Sequence, residues 1–186
     1  MGEPSTVDEL FALYHVKGSH HYGEGVTQLD HALQCATLAR GDSVHEALMV
    51  AALFHDVGHL ALDVQDNEEF DLGRDDDRHE ALGARILATI FGPVVARPVA
   101  LHVVAKRWLC TKDPPYHERL SAASRATLIA QGGLLSDQEC ERFEAHPGFN
   151  DAIALRTWDD AGKIEGLDVG RLRDWEPLVR SLAMPR

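Results

Sequence analysis

The sequence has few cysteines and no long apolar run, and each shortage excludes a class of protein. The three cysteines, Cys35, Cys110 and Cys140, are odd in number and far apart, and they form no CxxC pair. This spacing supports neither a disulfide framework nor a thiolate zinc site, and it fits a reducing cytoplasm. The longest apolar run, residues 47–54, is far shorter than the ~20 residues that a bilayer span requires.

Basic residues are also scarce. The chain has 18 Lys and Arg against 30 Asp and Glu, a formal net charge of −12. Binding to nucleic acid needs a basic face that releases counterions, so this balance argues against a nucleic-acid partner and against an anionic membrane surface. The 186 residues, 45% of them apolar, suffice for one buried core. We therefore expect a single domain over residues 1–186.

The apolar residues recur with helical spacing, and no alternating strand pattern competes with it. Leu29, Ala32, Leu33 and Ala36 follow an i, i+3, i+4, i+7 pattern, and Gly41 marks the end of that helix. Further helices are predicted over residues 7–15, 79–91, 99–109, 121–131, 149–160 and 169–182. The sequence thus predicts an all-α helical bundle.

Two helix starts carry the pattern of a capping box, a serine followed three residues later by a glutamate. These are Ser43 with Glu46 and Ser136 with Glu139. Two long connections are predicted between helices: an acidic one over residues 62–77 and a proline-containing one over residues 111–118.

His55 and Asp56 stand together at the end of the apolar run. An unpaired buried carboxylate is very costly, so Asp56 must be neutralised by a base or bound to a metal ion. For the dipeptide alone, the simpler interpretation is a helix end. The imidazole then faces the helix dipole, and Asp56 pairs with a surface base.

Residues elsewhere in the chain change that interpretation. His31 lies on the preceding helix, and Asp159 lies on a late one. The order His31, then His55-Asp56, then Asp159, each from a separate helix, is the pattern of an HD domain. A single core histidine is usually only hydrogen-bonded, but four of these groups in one bundle predict a metal site.

Two more histidines, His79 and His102, supply nitrogen ligands for a second ion. The predicted centre is therefore dinuclear, with His31, His55 and Asp159 on one ion, His79 and His102 on the other, and Asp56 bridging. A donor set dominated by histidine favours Fe, Mn, Zn or Co over Mg. Open positions on each ion indicate a catalytic site and not a closed structural one.

Two bases stand in helical register with these ligands. Lys106 follows His102 by four residues, and Arg156 precedes Asp159 by three, so each base shares a helix face with a ligand. Taken singly, each is more often a solvated surface charge. Both beside one metal centre predict a place for an anion.

Ser124, Thr127 and Gln131 form a stripe of uncharged hydrogen-bonding groups on one helix. Such a stripe is more often a solvent-facing side. Beside the two bases and His59, it is typical of a cradle for phosphate or phosphonate. Positive charge concentrated in an acidic protein suits a small dianionic substrate.

Four segments of the sequence resemble a known family. Residues 22–31, 51–59, 102–107 and 155–159 resemble the HD-domain mixed-valent di-iron oxygenases of phosphonate breakdown, of the 2-amino-1-hydroxyethylphosphonate dioxygenase type, with inositol oxygenase a more distant relative. The resemblance covers about residues 20–165, and His79, His102, Lys106 and Gln131 make it specific. It implies an Fe(II)/Fe(III) pair and dioxygen as co-substrate. The implied reaction cleaves the C–P bond of a 1-hydroxyalkylphosphonate to give phosphate and a carboxylic acid.

The resemblance also assigns residues to the substrate. The positions that match the family's phosphonate-binding residues are His59, Lys106, Ser124, Thr127, Gln131 and Arg156. Glu24 matches a carboxylate that meets the amino end of the substrate, and Gln28 is also expected to bind the substrate. Among these, His59 and Lys106 are also expected to take part in catalysis.

One departure concerns a tyrosine that in relatives occupies the open iron ten residues before the first histidine ligand. This chain has His21 there and Tyr22 one position later. Either His21 takes over as a temporary ligand, or Tyr22 reaches the metal through a backbone shift, or the role is absent. The substrate therefore stays open, with glycine betaine, glycine or formate as candidate organic products.

Two other classes of function compete with this one. A metal-dependent phosphohydrolase, the commonest activity of HD domains, would attack a phosphate ester with a bridging hydroxide. A non-catalytic HD sensor or scaffold would have broken ligand positions, whereas all six are intact here.

Overall fold

The computed structural model describes residues 3–21, 25–62 and 79–185. These ranges contain helices and no strand, which confirms the all-α class. The helices in chain order are α1 (Val7–Lys17), α2 (Gln28–Gly41), α3 (Glu46–Phe54), α4 (Val57–Ala61), α5 (His79–Phe91), α6 (Pro93–Lys112), α7 (Pro114–Arg119), α8 (Ala122–Ala130), α9 (Asp137–Glu144), α10 (Phe149–Ala161), a 3-10 helix (Leu172–Trp175) and α11 (Glu176–Leu182).

The helix at the centre of the bundle is α3, which is apolar around nearly its whole circumference. Such a helix is stable only when other elements surround it, and α2, α6, α10 and α11 enclose α3. Its last residue, Phe54, packs edge-on against Phe11 and Tyr14 and stacks on Phe91. The carboxyl end of α3, where the His-Asp pair follows, therefore lies inside the fold.

Two predicted helices have different bounds in the structure. Helix α6 begins at Pro93 and not at residue 99, and Pro98 lies inside it. Pro98 removes one helical hydrogen bond, but packing against α5 and α10 holds the helix together. The predicted helix over residues 169–182 is a 3-10 helix followed by α11 from Glu176 onward.

One of the two predicted capping boxes is confirmed. The Ser136 hydroxyl accepts from the Glu139 backbone N–H, and the Glu139 carboxylate accepts from the Ser136 backbone N–H. The box predicted at Ser43 is wrong, because Ser43 adopts a left-handed backbone with φ 55°. His45 caps α3 instead, and its ring nitrogen accepts from the backbone N–H of Leu48.

The prediction of a connection over residues 111–118 is also wrong, since α6 extends to Lys112 and α7 starts at Pro114. Two prolines suit a helix start because the first N–H groups have no partner within the helix. Nearly all of the predicted acidic connection, residues 62–77, lies outside the described residues. None of the described helices is long and apolar enough to cross a membrane.

Candidate metal centre and anion cavity

The six side chains predicted as metal ligands converge at the carboxyl end of α3. His55 directly follows α3 as its C-cap, and Asp56 directly precedes α4 as its N-cap. The other four come from separate helices: His31 from α2, His79 from the first position of α5, His102 from α6 and Asp159 from α10. All but Asp56 are buried, and Asp56 is half-buried.

His31 and His55 form a first pair, with their Nε2 atoms 3.3 Å apart. Nδ1 of His31 lies 2.8 Å from the carbonyl oxygen of Gly162, and Nδ1 of His55 lies 2.9 Å from that of Ala52. A carbonyl only accepts, so each Nδ1 carries the ring hydrogen, and the two Nε2 atoms are left facing each other. Two nitrogen atoms this close need a proton or a metal ion between them.

His79 and His102 form a second pair of the same kind, with Nε2 atoms 3.1 Å apart. Nδ1 of His102 donates to the carbonyl oxygen of Val99 at 2.7 Å, and Nδ1 of His79 lies 3.5 Å from a Glu80 carboxylate oxygen. These outer contacts fix the orientation of each ring, as they do around metal-bound histidines. The donor set of both pairs thus fits metal ions.

Asp56 lies between the two pairs. Its Oδ2 is 3.6 Å from Nε2 of His31, and its Oδ1 is 3.4 Å from Nε2 of His55 and 4.0 Å from Nε2 of His102. Asp159 faces the first pair, with Oδ1 3.3 Å from Nε2 of His31. The structure brings the six predicted ligands together, with Asp56 between the two histidine pairs.

The pKa shifts show what charge each pair attracts. Burial lowers the pKa of His102 to about 3, with a further contribution from His79, so this ring is neutral and can bind metal. Burial also opposes charge on His55, but the Asp56 and Asp159 carboxylates outweigh it and raise the pKa of His55 to about 9. Burial would raise the pKa of Asp56, yet the nearby His55 and His59 hold it well below its usual range.

Gly58 allows α4 and α5 to approach closely enough to place His79. A Cβ atom at Gly58 would lie 1.9 Å from the carbonyl oxygen of His79 and 2.7 Å from its carbonyl carbon. Any larger residue must therefore push the start of α5 away. The ring of His59 stacks on the ring of His79, with centroids 3.9 Å apart.

A cavity of about 80 Å³ opens onto these ligands. Its polar wall includes every described residue that the sequence predicts as substrate-binding. These are Gln28, His59, Lys106, Ser124, Thr127, Gln131 and Arg156. Lys106 is buried, and its Nζ donates to the Thr127 hydroxyl at 2.8 Å.

Gln131 is placed by the way α8 ends. The backbone N–H of Gly133 bonds to the carbonyl of Leu128, and that of Gly132 bonds to the carbonyl of Ile129. This Schellman motif needs a left-handed residue, and Gly132 supplies it with φ 99°. It fixes Gln131 at the rim of the cavity.

The sequence interpretation missed three residues around Arg156. Lys163 also lines the cavity, with Nζ 3.7 Å from Asp159 Oδ1 and 3.4 Å from the Ser124 hydroxyl. Tyr116 and Asp160 contact the guanidinium. The spacing of Lys163, four residues after Asp159, was a usable signal, whereas nothing in the sequence pointed to Tyr116.

Three predicted residues are not placed at the site by the structure. His21 is exposed and does not line the cavity, so its assignment as a temporary metal ligand gains no support. Tyr22 and Glu24 lie outside the described residues.

Histidine pairs joined by the aspartate of a His-Asp dipeptide, inside a helical bundle, define an HD domain. The HD domain model matches residues 29–129, and the chain belongs to this family. The chain is 42% identical over 175 residues, 94% of this chain and 87% of the relative, to hydroxymethylphosphonate dioxygenase of Gimesia maris. It is 35% identical over 178 residues, 95% of this chain and 89% of the relative, to [1-hydroxy-2-(trimethylamino)ethyl]phosphonate dioxygenase (glycine-betaine-forming) of Leisingera caerulea. Within the HD-domain proteins it thus belongs with the phosphonate dioxygenases, which confirms the resemblance seen in the sequence.

Proposed function

We propose that this protein is a di-iron dioxygenase that cleaves the C–P bond of a small 1-hydroxyalkylphosphonate, giving phosphate and a carboxylic acid. One observation carries the proposal: two buried histidine pairs share Asp56, and the same cavity holds buried Lys106 and Arg156. The two relatives named as phosphonate dioxygenases align over almost the whole chain and support it.

The proposed ligands are His31, His55 and Asp159 for one iron, His79 and His102 for the other, and Asp56 for both. When bound, the iron ions would activate dioxygen for the oxidation of the substrate carbon. Because the rings of His31, His55 and His102 are each anchored through Nδ1 to a backbone carbonyl, the ligand set is formed before the ions bind.

The cationic wall binds the phosphonate. Lys106 and Arg156 supply two charges, and the hydroxyls of Ser124 and Thr127 supply hydrogen-bonding groups on the same cavity wall. Both bases are buried, so their attraction for a dianion is stronger than it would be in water. The cavity is small, and we infer that the organic part of the substrate is correspondingly small.

We propose that Gln28 hydrogen-bonds to the organic part of the substrate. Its side chain is buried against the cavity, and its amide Oε1 accepts no hydrogen bond from the described residues. A buried acceptor without a donor costs about 1–3 kcal/mol, so a donor on the substrate would stabilise it. The C1 hydroxyl and an amine are the candidate donors, and Glu24 stays the proposed carboxylate for a cationic amine.

The atoms of the reaction balance without an added reductant. Hydroxymethylphosphonic acid and one dioxygen contain the same atoms as formic acid and phosphoric acid. The carbon is oxidised and dioxygen is reduced, with both oxygen atoms retained in the products. Amino- and trimethylammonio-substituted substrates would give glycine and glycine betaine in the same way.

The experiment that tests the function compares phosphate release with and without dioxygen. Iron-loaded protein is incubated under air with hydroxymethylphosphonate and with the two amine-bearing hydroxyethylphosphonates, while dioxygen consumption and phosphate are measured. We expect one dioxygen consumed per phosphate released with at least one of the three, and none released under nitrogen. Phosphate release that persists without dioxygen would show hydrolysis and defeat the proposal.

A further inference from the structure

The guanidinium of Arg156 is held along two of its edges. Nη1 pairs with Asp159 Oδ2 at 2.8 Å. On the opposite edge, Nε donates to Asp160 Oδ2 at 3.0 Å, and Nη2 makes a shorter contact with Asp160 Oδ1. Arg156 therefore lies between two carboxylates, only one of which is a proposed metal ligand.

Tyr116, on α7, completes this arrangement. Its hydroxyl donates to Asp160 Oδ2 at 2.6 Å and accepts from Arg156 Nε at 3.0 Å. The Tyr116 hydroxyl, the Asp160 carboxylate and the Arg156 guanidinium are thus each hydrogen-bonded to the other two. Through these contacts, α7 is joined to α10 directly behind the cavity.

Neither Tyr116 nor Asp160 lines the cavity that holds the metal ligands. Both line a neighbouring cavity on the other side of Arg156, together with Arg119 and Lys163. Among the described residues, Tyr116 and Asp160 can therefore influence an anion in the metal cavity through their contacts with the Arg156 guanidinium.

We propose that Tyr116 and Asp160 are positioning residues that orient Arg156 and thereby set the affinity of the cavity for a phosphonate. An arginine side chain has many rotamers, and holding its planar fork in one orientation before binding reduces the entropy lost when the anion arrives. Asp160 also occupies Nε and Nη2, which leaves Asp159 with a single contact to Arg156, through Oδ2. The other oxygen of Asp159, Oδ1, is left facing the first histidine pair.

This inference rests on the proposed function only for the identity of the anion. It is therefore tested with methylphosphonate, which carries the anionic group but has no C1 hydroxyl. Binding to iron-loaded protein without dioxygen is measured by calorimetry for Tyr116→Phe. The variant loses the hydroxyl's hydrogen bonds to Asp160 and Arg156, and the affinity is expected to weaken about tenfold.

A second measurement separates positioning from general damage. For Tyr116→Phe, we expect the KM for hydroxymethylphosphonate to rise about tenfold, while kcat stays within about twofold. The iron content is expected to stay unchanged, because no contact of a proposed metal ligand is removed. Asp160→Asn, which turns an amide N–H toward the guanidinium, is expected to weaken methylphosphonate binding more, and Asp160→Glu to restore part of it.

The matched control is Tyr14→Phe. Tyr14 is a buried tyrosine of α1 whose hydroxyl lies 3.5 Å from the Leu53 carbonyl oxygen, in the core and not at the cavity. Tyr14→Phe loses the same hydroxyl group as Tyr116→Phe and is expected to bind methylphosphonate like the unsubstituted protein. Unchanged affinity in both Tyr116→Phe and Asp160→Asn would overturn the inference, as would a parallel fall in iron content and kcat. Weaker methylphosphonate binding would support it even if the enzyme proved to be a hydrolase.

Discussion

His79 and His102 present their Nε2 atoms to each other at 3.1 Å, although they come from different helices. If this pair binds its own ion, His102→Ala removes one of the two histidines proposed to hold it. We expect the iron content to fall from two ions to one per chain, because the site of His31 and His55 keeps its ligands. Turnover is expected to be lost with the second ion. Metal analysis of the purified variant measures this directly.

The control for this variant is His15→Ala, which makes the same change at an exposed histidine of α1. It is expected to retain both ions and full activity. Two ions and normal turnover in His102→Ala would instead show that the centre is not dinuclear in the way we propose.

A second prediction concerns the close approach of Gly58 to His79. Because a Cβ at Gly58 would lie 1.9 Å from the His79 carbonyl oxygen, Gly58→Ala must displace the start of α5. Overpacking of this kind costs about 1–3 kcal/mol. We expect a lower melting temperature and selective loss of the ion held by His79 and His102.

Gly41→Ala provides the matched control, since a Cβ there meets nothing within 4 Å. Gly41 ends α2, where alanine favours the helix, so this variant is expected to be as stable as the unsubstituted protein or slightly more stable. A Gly58→Ala protein with both ions and an unchanged melting temperature would contradict the role assigned to this contact.

Removal of metal is expected to destabilise the fold. Without ions, the Nε2 atoms of each buried pair face each other at 3.3 Å and 3.1 Å and lose the metal ion that the donor set fits. A ligand that binds only the folded state at 100 times its Kd stabilises it by about 2.7 kcal/mol. Chelation should therefore lower the melting temperature, and adding Fe(II) back should restore it in a concentration-dependent way. An identical melting curve before and after chelation would count against a built metal centre.

The residues proposed as metal ligands could be predicted from the sequence because most of them lie at recognisable points of helices. His55 and Asp56 follow the apolar run of residues 47–54, so the burial of His55 was predictable from the neighbouring residues. His102 lies within the apolar part of α6, and Asp159 lies at the end of α10. Helical spacing then linked Lys106 and Arg156 to them, and the structure places both in the cavity wall.

The support behind Arg156 could not be predicted in the same way. Tyr116 lies in a segment that the prolines made look like a connection, so no helix was expected there to carry it toward α10. The contact with Asp160 joins residues 44 positions apart in the chain and depends on tertiary packing alone. The capping box predicted at Ser43 was wrong for a local reason, since Ser43 has a left-handed backbone and His45 caps α3 instead.

The substrate can be narrowed through Glu24, for which the family resemblance suggests a role at a cationic amine. Glu24→Ala is expected to raise the KM for the amino- and trimethylammonio-substituted hydroxyethylphosphonates and to spare hydroxymethylphosphonate, which has no amine. A charge pair lost from a closed site costs about 1.5–3 kcal/mol, which corresponds to a rise in KM of about tenfold or more. Steady-state kinetics on the three substrates gives the answer, and an equal loss on all of them would remove Glu24 from an amine subsite.

The two lysines of α6 are expected to differ in their contribution to phosphonate binding. Lys106 is buried at the cavity and donates to Thr127, whereas Lys112 is exposed and forms a surface ion pair with Glu144 at 3.6 Å. Lys106→Met keeps the length of the side chain and removes its charge, so the KM for the phosphonate is expected to rise about tenfold to a hundredfold with no loss of iron. Lys112→Met removes the same charge from the surface, where such pairs contribute about 0–1 kcal/mol, and its KM is expected to stay unchanged. If both variants had the KM of the unsubstituted protein, the phosphonate would have to bind away from Lys106, and the buried cation could not be what selects a dianionic substrate.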